Sequence, residues 1–270
     1  MLLANTLLSD VAALPLRGTL LNFATVMLGG IIGLLIGDRL PERIKQGVII
    51  VIGIMTIVIG MSSALKTENA LIPLLALVIG VVVGELLNID GGINWLGDSL
   101  KRRVDKTGRE QHFTAAFVVA SLQFCVGPLT ILGSIQDGLT GDFRLLAIKA
   151  ILDGFSAIIF ASSFGRGVLF AGATVLIVQG GISLLAGLIK PLLISSSALP
   201  LGMQPRVIEL SAAGGTILIA LALNILGIQS QSLWAERIKV ANMLPALLIA
   251  PLLVALLNIL HIPLDFGLGG

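Results

Sequence analysis

Long apolar runs alternate with short polar and charged segments along nearly the whole chain. A helix needs about 20 predominantly apolar residues to cross the hydrocarbon core of a bilayer. That rule predicts eight spans: Gly18 to Ile36, Gly47 to Leu65, Ala70 to Leu87, Phe113 to Ile135, Leu145 to Phe164, Val168 to Ile189, Val207 to Gly227 and Val240 to Leu260. The third is short. The fourth contains Gly127-Pro128, where the proline lacks a backbone donor and crowds the preceding turn, so this span is either kinked or broken. The predicted fold is an all-α, polytopic transmembrane helix bundle with an interrupted fourth helix.

The first 16 residues are apolar but interrupted by Asp10 and Pro15, and Arg17 follows them instead of leading as in a secretory signal. Residues 1–17 are therefore expected to form a short interfacial or external segment, 18–260 a single membrane domain and 261–270 an external tail. Arg39, Arg43, Lys45, Lys101, Arg102, Arg103, Lys106, Arg109, Arg166, Arg237 and Lys239 fall in one alternating set of loops. The opposite set holds Arg17, Lys66, Arg144, Lys190 and Arg206, without a comparable cluster. The positive-inside rule then predicts a multi-pass protein of the cytoplasmic (inner) membrane with both termini outside. Trp95 and Trp234 flank spans on the cytoplasmic side, a thin interfacial belt.

Composition narrows the class. With 56% hydrophobic and 12% charged residues and a mean hydropathy of +1.04, the chain is not a soluble domain, and its partner is the lipid bilayer. A net charge of +2, without a basic stripe, gives no argument for nucleic acid. One cysteine, Cys125, excludes an internal disulfide framework and reads as a small packing residue.

Glu42-Arg43-Ile44-Lys45 recurs as Glu236-Arg237-Ile238-Lys239, each time before a span. The preceding spans carry Gly29-Gly30 and Gly214-Gly215, with Asn22 and Glu209 shortly upstream, and Gln123, Gly127-Pro128 and Lys149 echo the plan in the middle. If spans one to three and four to six are repeats, their odd number inverts one unit across the membrane, as in transporters with interrupted helices. The alternative is that basic residues before a span merely anchor it. Gly29, Gly33 and Gly37 stand at four-residue steps, as do Gly80 and Gly84. Such faces serve either packing within the bundle or a homo-oligomer contact.

Gln123, Asp153 and Gln179 fall near the middle of the fourth, fifth and sixth spans. A charge at that depth costs about 2.5–3.5 kcal/mol unless paired or solvated. Lys149 lies one helical turn before Asp153, so either the two form a self-neutralised structural pair or Asp153 lines a cavity where it binds or relays a proton or cation. Thr130, Ser134 and Gln136 follow the break, where they replace lost backbone bonds or coordinate a solute. Asp137 and Asp142 are expected in the outer loop, either solvated or at the point of ion access. Glu85 and Glu209 read as boundary residues, and Asn22, Asn224 and Asn242 as bonds between helices. Asn242 with Pro245 marks a second candidate interruption.

The two histidines, His112 and His261, sit at opposite ends of different spans, and no His-Glu-x-x-His pair exists, so no metal or catalytic residue is assigned. Gly138 to Asp142 matches an intramembrane aspartyl protease motif only faintly, and no cofactor is implied. Enzyme function is not expected.

The chain resembles the bacterial inner-membrane proteins catalogued as domain of unknown function 554. The resemblance rests on Gly18-Thr19-Leu20-Leu21-Asn22, Leu28 to Gly33, Gly84-Glu85-Leu86-Leu87, Gly127 to Gly138, and Lys149 to Gly154. It runs from about Gly18 to about Pro251 and implies a multi-spanning protein of the cytoplasmic membrane, without an activity, substrate or set of functional residues to carry over. Function is therefore read from the residues. The expectation is a secondary transporter of a small solute or ion, by alternating access past Gln123, Thr130, Ser134, Asp153 and Gln179, with Lys149 as partner or counter-charge. The alternative is a membrane scaffold whose polar residues are structural.

Overall fold

The computed structural model describes residues 16–37, 39–104, 112–194, 199–227 and 238–262. Its helices are α1 (Arg17–Gly37), α2 (Glu42–Ala64), α3 (Leu71–Leu87), α4 (Ile89–Val104), α5 (Phe113–Cys125), α6 (Pro128–Thr140), α7 (Arg144–Phe164), α8 (Gly167–Leu184), α9 (Ala186–Leu193), α10 (Pro205–Ile225) and α11 (Ala246–Ile259). Single 3-10 turns precede α10 and α11. Six stretches are long and apolar enough to cross a membrane, and the bent pairs α3–α4 and α5–α6 raise the number to eight. The expected interfacial segment, most of the C-terminal tail, Trp234, Lys106, Arg109 and Glu236-Arg237 lie outside the described residues.

The fourth span is broken. α5 and α6 meet at 59°. They nevertheless accompany α8 along its whole length, because the Phe113 carbonyl backs onto Gly167 and Gly138 backs onto the Ser183 carbonyl. A re-entrant loop would have returned to the end where it began. Pro128 offers no N–H to the carbonyl of Phe124, and the Thr130 hydroxyl donates to that carbonyl instead, at 3.2 Å. The sixth span, expected to reach Ile189, is divided at Leu185 into α8 and α9. The eighth begins with the 3-10 turn Val240–Met243, so the interruption expected at Asn242 is present.

Helix α4 falls in a stretch read from the sequence as a loop. Ile89, Ile93 and Leu100 make its apolar side and pack on the core, while Lys101, Arg102 and Arg103 occupy its last turn, where positive charge suits the helix dipole. It lies across the start of α5, with Gly97 against Thr114 and Phe117. The backbone N–H of Asp90 donates to Asn242 Oδ1 at 2.7 Å.

Glycine sets the principal helix pairs. Side chains on Gly29 and Gly33 of α1 would strike the carbonyls of Gly154 and Ile158 on α7, and a Cβ on Gly37 would lie 2.6 Å from the Ser162 carbonyl. A Cβ on Gly60 of α2 would lie 2.7 Å from the Gly215 carbonyl of α10. Gly80 and Gly84 bring α3 onto Ala246 and Asn242 of the eighth span. Backbones that close exchange side-chain volume for dispersion contact, the usual solution where lipid removes the hydrophobic drive between helices. Leu28, Leu35, Val51, Val82 and Ile177 lie on the outside, as lipid-facing side chains do.

Candidate functional site

The close approach of α1 and α7 delivers three polar side chains to the bundle interior. Asp153, 7% exposed, accepts from the Lys149 ammonium one turn earlier on the same helix and from Asn22 Nδ2 on α1 at 2.9 Å. The carboxylate accepts only, so the Asn22 amide nitrogen must face it and its Oδ1 must face away. The helices on both sides of the break, α5 and α6, pack on α7, the helix that carries the ion pair. A buried pair of this kind stabilises little against apolar replacements, but losing one partner leaves a stranded charge.

A second polar group adjoins the first where α1, α6 and α8 meet. Thr19 Oγ1, Asn22 Oδ1, Ser134 Oγ, both Asp137 carboxylate oxygens, both polar atoms of Gln179 and Ser183 Oγ are buried without a hydrogen-bond partner. Asp137 therefore corrects the sequence expectation. It is not in an outer loop but in α6, 1% exposed. Its carboxylate faces the Leu16, Gly18 and Thr19 backbone amides and the Arg17 guanidinium at the start of α1, without hydrogen bonds of ordinary geometry. The Asp-Gly pair reads locally as a turn, yet the helix continues through it to Thr140 and ends at Gly141, which adopts the left-handed cap conformation at φ 69°.

The remaining candidates separate from this centre. Gln123 on α5 is half-buried, with Oε1 unpaired. Thr130 repairs the break. Asp142 is exposed in the α6–α7 turn, where Oδ1 accepts from the Arg144 N–H at 3.1 Å, and its ion pair with Arg144 is too solvated to add much. Gln136 is half-buried and its carbonyl accepts from Thr140 at 2.8 Å. Among the described residues no cluster of three or more His, Cys, Asp or Glu is placed to hold a metal.

Glu209 is a further correction, since it is 2% exposed and not a boundary residue. Its carboxylate accepts from the Thr67 hydroxyl at 2.6 Å, the Glu68 N–H at 2.9 Å and the Asn69 N–H at 3.2 Å, pinning the α2–α3 turn to α10. Glu209→Ala is expected to cost about 2–3 kcal/mol through the stranded donors. Limited proteolysis of the variant should show faster cleavage at residues 66–69, and an unchanged rate would show the grip to be dispensable. Asn224 holds Ile238 in the same way, donating to its carbonyl at 2.7 Å and accepting from its N–H at 3.0 Å. Glu85 pairs with Lys239 at 3.2 Å in a half-exposed contact.

On the other side of the break lies an apolar cavity of about 380 Å³. Cys125, Val126 and Ile131, at or near the break, line it together with Leu193, Leu210 and Leu247. Its polar contribution is the Ser121–Thr174 hydroxyl pair, 3.0 Å apart.

A bundle of six to eight spans, with a broken span, a buried ion pair and unpaired polar groups in its interior, defines a polytopic helical membrane protein. The chain belongs to the family described as protein of unknown function (DUF554), which it matches over residues 17–255. It is 34% identical over 236 residues to the Uncharacterized protein YqgA of Escherichia coli (strain K12), covering 86% of this chain and 94% of that one. It is 25% identical over 245 residues to the Uncharacterized membrane protein YdfK of Bacillus subtilis (strain 168), covering 89% and 96%. No solved structure matches the chain.

Proposed function

We propose that the protein is a secondary transporter of a small solute or ion, with Asp153 at its centre. The observation that carries the reading is the coincidence of the Cys125–Pro128 break with the Asn22–Lys149–Asp153 triad. Broken helices at mid-membrane expose backbone groups to a substrate, and a charge pair beside them can open to accept one. The adjacent apolar cavity suits a solute with an apolar part next to a polar or charged end. Alternating access would move one helix group against the other, with the basic ends of α4 and its neighbours in the cytoplasm and both termini outside. On this reading the work is not catalytic, no cofactor takes part, and the glycine faces are used within the bundle.

The scaffold reading draws support from Glu209, Asn224 and Asn242, whose side-chain oxygens each hold a backbone N–H of another segment. The two readings part at Asp153. Purified protein should show a saturable thermal shift with at least one member of a panel of ions, amino acids and organic acids, because a ligand of the native state alone stabilises it. Asp153→Asn, combined with Lys149→Met so that no ammonium is stranded, should abolish that shift while the protein stays assembled. A panel without any response, or a response untouched by that double variant, would remove the transport reading.

A further inference from the structure

The unpaired atoms at the α1–α6–α8 junction form two layers. Thr19 Cγ2 lies 3.8 Å from where a Cβ on Gly180 would stand, which brings α1 against α8 between Gln179 and Ser183. Gly138, next to Asp137, backs onto the Ser183 carbonyl. Thr19, Asp137 and Ser183 thus meet near the end of the bundle. Asn22, Ser134 and Gln179 lie one helical turn deeper on the same three helices, and each is fully buried. Asn22 then hands on to Asp153 through its amide nitrogen.

Buried polar side chains in native proteins are almost always bonded, so a concentration of unpaired ones in one junction calls for an occupant. The atoms say what kind. Asn22 Oδ1, Gln179 Oε1 and the two Asp137 oxygens can only accept, Gln179 Nε2 only donates, and the hydroxyls of Thr19, Ser134 and Ser183 can turn either way. An anion would meet a wall of oxygen lone pairs, whereas a hard cation would be ligated by them. Arg17 and the α1 amides already draw on the Asp137 charge. Asp137 supplies one negative charge and Arg17 offsets it, so the junction has at most one unit of charge to share, which disfavours a dehydrated divalent ion. Lys149 adds no net charge because Asp153 neutralises it.

We propose that this junction binds one monovalent alkali-metal cation between the two layers, with Asn22 as the link to the Lys149–Asp153 pair. Binding stands on the junction itself, while a role as coupling ion rests on the transport reading. Asn22 would ligate the cation through Oδ1 while its Nδ2 stays on Asp153, so one amide joins the junction to the ion pair and the two are coupled through it.

The test is thermal unfolding of the purified full chain in sodium, potassium or choline chloride at equal ionic strength. Sodium or potassium should raise the midpoint temperature saturably, by about 5–10 °C at one hundred times the dissociation constant, and choline should not. Gln179→Leu and Ser134→Ala remove ligands without removing charge. Each should shift the half-saturating concentration at least tenfold upward, and Asp137→Asn should do the same if it folds. Lys149→Met with Asp153→Asn removes no junction ligand and leaves an oxygen for Asn22 to donate to, so cation and solute responses both untouched by that double variant would fail the transport reading and leave the cation site standing. Equal shifts in choline and alkali salts, or unchanged half-saturation in both Gln179→Leu and Ser134→Ala, would overturn the proposal and assign the unpaired atoms to water.

Discussion

Lys149→Met should lower stability by about 3–5 kcal/mol, because it strands the Asp153 carboxylate with Asn22 as its remaining donor. Asp153→Leu should be similarly damaging, since it strands an ammonium and the Asn22 amide together. The informative variant is the double replacement Lys149→Met with Asp153→Asn. It removes both charges and keeps an oxygen for Asn22 to donate to, so its stability should return to within about 1 kcal/mol of the parent or exceed it. Equilibrium unfolding in detergent, read by tryptophan fluorescence or thermal midpoint, measures the cycle. The same variant separates two roles that a single substitution confuses. If the pair is only structural, the double variant regains fold and solute response together. If Asp153 serves the substrate, the fold returns and the response does not. A double variant as unstable as Lys149→Met would show instead that the charges are coupled to more than each other.

Much of the fold was legible because span length and proline chemistry are local properties. Each of the eight expected spans falls on a helix, six of them long enough to cross by themselves or with a 3-10 first turn and two belonging to bent pairs, and the Gly127-Pro128 break followed from a missing N–H. The pairing of helices was not legible. Gly29, Gly33 and Gly37 announce a close contact, but nothing in their spacing says that α7 fills it. Helix α4 was hidden by its charge, since Lys101 to Arg103 read as a loop cluster. Its signal was present in Ile89, Ile93 and Leu100, a helical stripe too short to span a membrane.

The candidate site divides in the same way. Lys149, Asp153 and their one-turn spacing are visible in sequence, whereas Asn22 looks like any interhelical asparagine until α1 is laid on α7. Asp137 and Glu209 were misread for one physical reason. A carboxylate gains most from donors at the end of another helix, and such donors are remote in sequence: Gly18 and Thr19 for Asp137, Glu68 and Asn69 for Glu209. Thr19 and Ser183 gave no signal because a hydroxyl in a span usually bonds to its own helix. Their missing partners become visible once burial is known. The described polar residues thus include some that grip a neighbouring helix end or turn and some left unpaired, and most of the unpaired atoms gather where α1, α6 and α8 meet.

Gly33→Leu should abolish the folded state. A Cβ there would strike the Ile158 carbonyl and lie 2.9 Å from Ala161 Cβ, and a backbone carbonyl in a helix cannot turn aside as a long side chain can. The α1 and α7 axes would have to separate, undoing the contacts of Gly29 and Gly37 on the same seam and drawing Asn22 away from Asp153. Overpacking of this kind costs about 1–3 kcal/mol where neighbours can yield. With backbone on the far side the loss should exceed about 4 kcal/mol, enough to remove most natural margins of stability. Gly181→Ala is the matched control, since nothing lies within 4 Å of its Cβ position and alanine is the better helix former by about 0.5–1 kcal/mol. Size-exclusion profiles and thermal midpoints should therefore show Gly181→Ala at or above the parent and Gly33→Leu aggregated or absent. A monodisperse, thermally normal Gly33→Leu would mean that α1 does not pack on α7 through this face, and the Asn22–Asp153 bond would fall with it.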